Sequence, residues 1–421
     1  MRRHIAACTC LLAALPAWAE ETFDLSAYEK KAFEWKGYLE LKPEHQFLRR
    51  DSAGYVLQYP GETRRTADRW SAAAELSGIL RHDTLSFSFT GHATYLDEPK
   101  GSASDTRFYE AYARWQPDSR ASVDLGKRAL GWGKGYAWNP VAFLDRTKDP
   151  TDPELSREGF VMATGSLVRS FDGPVQTLAL TPVLLPTTAD LNPDFGASGH
   201  PNPAVKLYGL VADTDVDLIY TAPGSHGARY GVNFSRNLGS SLEIHGEWAR
   251  TTDAPRAVLT PGNTLATETR DDTSYLLGLR YLTERDTTFI AEIYRNGGGY
   301  TEAEVDRFFG LVHDSASNPA LTPIATQAAT RGYNRPNAMR NYVYFRASQK
   351  EPFDILYLTP ALTLIANRDD RSYTLIPELA YTGFDDLELR LRLAFNRGET
   401  ATEYGEKPVR SRLELRLRYF F

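Results

Sequence analysis

The chain alternates. From Phe33 onward, Phe33, Trp35, Gly37, Leu39 and Leu41 fall on one side of an extended strand, with Glu34, Lys36, Tyr38 and Glu40 on the other. The period returns with Trp70, Ala72, Ala74, Leu76, Gly78 and Leu80 around Glu75. After the turn Arg81-His82-Asp83 it resumes with Leu85, Phe87, Phe89, Gly91 and Tyr95 opposite Ser86, Ser88, Thr90 and His92. The chain closes in the same way: Leu413, Leu415, Leu417, Tyr419 and Phe421 share a face, with Glu414, Arg416, Arg418 and Phe420 on the other. A strand with one apolar face fits a soluble sandwich, apolar side inward, or a barrel in lipid, apolar side outward.

Carried along the chain, the pattern predicts further strands near 107–115, 120–128, 159–169, 174–182, 203–211, 214–221, 228–236, 240–250, 273–283, 286–295, 340–348, 354–366, 371–381, 386–396 and 411–421. The total is about eighteen, and sixteen also fits. Connections alternate in kind. Phe171-Asp172-Gly173, Asn237-Leu238-Gly239 and Thr283-Glu284-Arg285-Asp286 are short, whereas stretches near 129–158, 183–202 and 296–339 are long. An even strand number with short turns on one side and long loops on the other predicts an all-β fold, a transmembrane antiparallel up-and-down barrel with both termini in the periplasm. Within 296–339, Thr301-Glu302-Ala303-Glu304 is a capping box, and Val305, Phe308, Phe309 and Val312 share a helical face, which predicts a short helix over the mouth.

Composition agrees with strands that cross lipid. Aromatic residues make up 12% of the chain although its mean hydropathy is −0.42, as expected where only alternate residues meet lipid and aromatic girdles mark the interfaces. The first residues predict a signal peptide over 1–19: basic Arg2 and Arg3, an apolar run too short to span, and Ala17-Trp18-Ala19 before the cut. A polar lead at 20–31 and a single barrel domain at 32–421 follow. That lead is too short for the plug of an energy-coupled transporter. Cleavage removes both cysteines, Cys8 and Cys10, and takes the net charge from −6 to about −8, which argues against a nucleic-acid surface.

The aromatic ending, with Tyr419 and the terminal Phe421, resembles the carboxy-terminal signature of Gram-negative outer-membrane β-barrels. That resemblance implies residence in outer-membrane lipid and partnership with the barrel assembly machinery. The signal, alternation and ending are similar to those of porins, in which the third outer loop bends into the barrel and narrows it. Here that loop runs from Gly131 to Phe160 and carries Trp132, Lys134, Tyr136, Trp138, Asp145, Arg146 and Asp149 as candidate constriction residues. It lacks the strand, helix and Lys-Ser/Thr order of a glycine-rich phosphate cradle. The acidic-Phe-Gly-Gly signature of trimeric general porins is absent, which leaves the oligomeric state open. The strand count resembles that of eighteen-stranded substrate-specific and alginate-export channels.

The inward positions carry the candidate selectivity residues: Arg390, Arg392, Arg416 and Arg418 on the last two strands, with Arg346, Lys36 and Arg128 elsewhere. Glu243, Glu247 and Glu292 form an acidic counterpart. With only Glu388 and Glu414 near the arginines in sequence, the basic ladder is expected to face the acidic one across the lumen and to favour small anionic solutes. Loop acids Asp145, Asp149 and Asp152 would neutralise part of it if the loop folds inward. No cofactor or metal is expected. An export or scaffold barrel is the alternative, and an outer-membrane enzyme built on His92 or His245 is a further one, without a nucleophile motif beside either histidine.

Overall fold

The computed structural model describes residues 31–421. The expected signal peptide and nearly all of the polar lead lie outside them. The described chain forms eighteen antiparallel strands closed into one barrel. In order they are β1 (Phe33–Leu48), β2 (Thr66–His82), β3 (Leu85–Glu98), β4 (Gly101–Trp115), β5 (Ala121–Arg128) and β6 (Phe160–Ser170). Then follow β7 (Val175–Leu184), β8 (Pro203–Val211), β9 (Thr214–Thr221), β10 (Arg229–Leu238), β11 (Leu242–Leu259) and β12 (Leu265–Leu282). The last six are β13 (Thr287–Arg295), β14 (Asn341–Gln349), β15 (Leu358–Asn367), β16 (Tyr373–Phe384), β17 (Leu387–Arg397) and β18 (Val409–Phe420). Each strand pairs with the next, and β18 returns to β1, so no sheet edge is left open.

The terminal residue closes that seam. Phe421 N–H donates to Gly37 O at 3.0 Å, Gly37 N–H donates back to Phe421 O at 2.9 Å, and the Phe421 ring lies 5.8 Å from that of Trp35. A Cβ at Gly37 would stand 2.6 Å from the Phe421 ring and 2.5 Å from Glu75 O, so the seam requires glycine there.

Alternation sorts the faces as the sequence predicts. Leu39, Leu41, Leu125, Leu167 and Leu277 are exposed on the outer surface. Trp35, Trp115 and Phe384 near the short turns, and Trp70, Tyr95 and Trp248 near the long loops, are exposed in two belts at the expected interfaces.

Two hairpins are longer than the alternation suggested. β11 and β12 continue to Leu259 and Leu265 after an irregularity between Thr251 and Ala254, and β4 begins at Gly101. These extensions stand beyond the lipid belt, so neither face needs to be continuously apolar and the period that reveals membrane strands is lost. They carry the cap. Helix α1 (Ala53–Gln58), α2 (Glu302–Ser317) and α3 (Thr322–Ala328) pack with Leu259, Tyr300, Tyr333 and Tyr404 into one apolar cluster over the outer mouth. Helix α2 begins at the expected Thr301–Glu304 capping box and buries Val305, Phe308, Phe309 and Val312. Glu304 also binds Arg256 of β11 at 2.6 and 3.0 Å; burial works against its charge, but that guanidinium holds its carboxyl below the usual carboxylate range.

Candidate functional site

The third outer loop, between β5 and β6, folds into the barrel, and its glycine-rich start explains how. Gly131 and Gly133 adopt positive φ angles of 66° and 104°, turning successive N–H groups to one side. The N–H groups of Leu130, Gly131 and Trp132 converge on the Asp145 carboxylate at 2.7, 3.0 and 3.0 Å. The next set converges on the barrel wall. Lys134, Gly135 and Val141 N–H donate to Glu247 of β11 at 2.5, 2.7 and 3.2 Å, as does the Asn139 side chain at 3.0 Å. Tyr136 and Ala137 N–H donate to Glu292 of β13, the latter at 3.0 Å. The stretch is thus an anion cradle filled by the protein's own carboxylates. Lys148 seals the turn by donating to Gly135 O and Tyr136 O at 2.8 and 3.1 Å.

This geometry corrects the expected acidic ladder. Glu247 and Glu292 are buried under the loop and hold it, so they do not face solute across the lumen; Glu243 remains half-exposed, accepting from Ser235 Oγ at 3.2 Å. Trp132 and Trp138 are likewise anchors. Both are buried, Trp138 stacked on Tyr294 at 5.0 Å and Trp132 under Lys206 at 5.6 Å. Tyr136 leans on Tyr344, Lys134 lies 5.9 Å above the Tyr208 ring, and Arg146 pairs with Asp194 and Glu158. Asp149 is exposed and accepts from Thr151.

From there the loop runs on to the wall formed by β17 and β18. Asp152 Oδ2 meets Arg416 Nη2 at 2.6 Å and Arg392 Nη1 at 3.5 Å, and Arg392 also donates to Thr151 O at 2.5 Å. Burial works against the charge on Asp152, yet the Arg416 and Arg392 guanidiniums outweigh it and hold the carboxyl below the usual carboxylate range. Of the three loop acids expected to reach the arginines, only Asp152 does so.

The four arginines expected to form the basic ladder are all paired, which corrects the expected excess. Arg390 binds Glu388 at 3.0 Å, Arg392 binds Glu378 at 3.0 Å and Glu414 at 3.4 Å, Arg416 binds Glu414 at 3.3 Å, and Arg418 binds Glu40 at 2.5 Å. Arg346 joins Glu378 at 3.3 Å, and Arg412 reaches Glu414 at 3.4 Å. Glu40 comes from β1, which barrel closure sets beside β18, and Glu378 from β16; neither is near its partner in sequence.

Pairing does not hide both signs equally. Arg346, Arg412 and Arg418 keep 18–25% of their side-chain surface open, against 9% or less for Glu40, Glu44, Glu378 and Glu414, whereas Arg390 and Glu388 are alike at 15% and 14%; Arg392 and Arg416, expected to meet solute, are buried at 4% and 3%. A second wall repeats the arrangement. Arg114, Arg128 and Lys206 keep 32%, 26% and 21% around Asp124 and Asp217, which keep 4% each, beside a 300 Å³ cavity inside β4 to β8. Lys36 is exposed near the periplasmic end of β1.

The fold aligns with that of Acinetobacter baumannii OccAB1 at a TM-score of 0.53 and 10% identity, over 92% of this chain and 96% of that one. The fold is that of a porin-like outer-membrane β-barrel. Pseudomonas aeruginosa OccK5 (OpdH) aligns at 0.53 and 14% identity, and OccK11 (OpdR) at 0.52 and 13%, each over 92% of the porin-like chain and over 98% and 96% of their own. No family model and no curated protein matches the sequence.

Within this porin-like barrel, Glu388 and Glu414 pair with the arginines that they neighbour in sequence, whereas sequence reading missed Glu378 and Glu40 as partners. The available signal was inward parity on β1 and β16, together with the closure that makes first and last strands neighbours. The two histidines are placed apart. His92 stacks on Tyr109 at 4.3 Å and faces Glu75 at 3.4 Å, whereas His245 is buried and meets Glu292 at 3.0 Å, the same carboxylate that holds loop three.

Proposed function

We propose that the barrel is an outer-membrane channel for passive passage of small hydrophilic solutes, with a preference for anions. The observation that carries the preference is the unequal exposure of paired charges: on two lumen walls Arg346, Arg412, Arg418, Arg114, Arg128 and Lys206 stand more open than the carboxylates they pair with, while Arg392 and Arg416 are buried and Arg390 is about as open as Glu388. A solute responds to the groups that it meets, not to the formal sum, so a wall that is nearly neutral by count still presents positive potential. Open guanidiniums offer bidentate contacts to carboxylate or phosphate without surrendering their structural partners, because each has five N–H donors. Loop three supports the channel reading by crossing the lumen from β11 and β13 to β17 and β18, which forces solute past these walls. Swelling of proteoliposomes in isosmotic small carboxylates and in amines of matched size tests the reading. Faster swelling with the carboxylates is expected, and equal rates, or faster entry of amines, would refute the preference.

A further inference from the structure

The outer rim carries a second basic site, separate from the lumen. Arg49, Arg50, Arg65, Arg397 and Arg410 line a cavity of about 940 Å³ where β1, β17 and β18 end. None of the five has an ion-pair partner among the described residues, unlike the arginines of the last strands within the barrel. Of the three carboxylates at the cavity, Glu406 is already committed to the N–H groups of Ala53 and Ala401 and to His313, which leaves Asp51 and Glu399 against five guanidiniums. Arg49 is structural: it donates to the carbonyls of Tyr404, Gly405 and Asn396 and so ties the β17–β18 loop to the rim. Burial pulls its guanidinium below the usual range, with Arg410 and Arg397 adding to the effect and Asp51 and Glu406 opposing it.

The location narrows the choice of ligand. Arg397 lies 5.5 Å over the Phe395 ring, and Phe395 shares its face of β17 with the exposed Leu391; Phe47, near the end of β1, is exposed in the same row two strands away, across Ser411 of β18. The cavity therefore sits where an aromatic lipid-facing belt ends and long basic side chains reach from it toward headgroups. We propose that it binds the phosphorylated sugar headgroup of an outer-leaflet glycolipid. Phosphate suits paired guanidiniums, the volume admits a sugar phosphate, and acyl chains would continue down past Phe395 and Phe47. The inference rests on the barrel standing in the outer membrane and is independent of what passes through its lumen.

The test is native mass spectrometry of the folded, detergent-solubilised barrel with bisphosphorylated lipid A, with the same lipid dephosphorylated, and with glucosamine 1,6-bisphosphate. The wild type is expected to bind the bisphosphorylated lipid at least tenfold more tightly than either comparison. Combined Arg50→Gln, Arg65→Gln, Arg397→Gln and Arg410→Gln should erase the difference, with Arg49 left in place to hold the loop. Heat-modifiable gel migration checks that the variant is folded, and the pair Arg397→Gln and Arg410→Gln serves if the fourfold variant is not. Equal retention by wild type and variant, or equal retention of the two lipids, would overturn the proposal. Binding of the soluble bisphosphate as tight as that of the lipid would overturn the glycolipid assignment.

Discussion

Asp152 Oδ2 and Arg416 Nη2 are 2.6 Å apart, and through this contact the third outer loop is tied to the last strand of the barrel. Asp152→Ala leaves Arg416 with Glu414 and Glu40 but removes the loop's own charge from the far wall. The loss of a buried charge-assisted bond is expected to weaken docking of the loop by ~1–3 kcal/mol. Higher single-channel conductance and noisier open states should follow, with unchanged heat-modifiable migration of the barrel.

The near end of the loop is held more firmly. Glu247 accepts from three backbone N–H groups and Asn139, and Glu292 from two backbone N–H groups and His245. Glu247→Ala would leave several buried donors without a partner, at ~1–3 kcal/mol for each one that water fails to reach. Limited proteolysis of the folded variant is expected to cut between residues 131 and 160, where the wild type resists. Resistance equal to wild type would show that the cradle does not hold the loop.

The pH dependence follows from the Asp152 carboxyl, whose native pKa lies below its unfolded value of about 3.9. A depressed pKa contributes stability that is present above the unfolded value and lost as pH falls through the native one. Conductance should therefore stay level from neutral pH down to about 4 and rise only below that. A rise between pH 7 and pH 5 would assign loop release to a different group.

At the seam, deletion of Phe421 removes both backbone hydrogen bonds to Gly37 and the ring against Trp35. Gly37→Val drives a branched side chain into that ring and into Glu75 O. Both variants should accumulate as unfolded chain in the periplasm, read as loss of the fast-migrating form in unheated gels. Normal surface levels of both would mean that the seam closes without them.

Much of the barrel was legible because lipid imposes a period of two: Leu413, Leu415 and Leu417 must face out, so Glu414, Arg416 and Arg418 must face in. The helix over the mouth was legible from Thr301 and Glu304 and from the spacing of Val305, Phe308, Phe309 and Val312. Pairings between segments far apart in sequence were not. Arg418 meets Glu40 only because the barrel closes, and Glu292 meets Tyr136 and Ala137 only because glycines at positive φ turn the loop inward; no local period encodes either contact. The extension of β11 to Leu259 was hidden for a related reason, since above the membrane the lipid that enforces alternation is absent.

Reversal potential of single channels in planar bilayers under a potassium chloride gradient tests anion passage most directly. Wild type should open stable channels whose reversal potential has the sign of chloride preference. Arg346→Gln, Arg412→Gln and Arg418→Gln together should move it toward potassium, because these three guanidiniums are more open than the carboxylates they pair with. Wild-type channels that prefer potassium, or a folded barrel that inserts and never conducts, would contradict an anion-preferring channel.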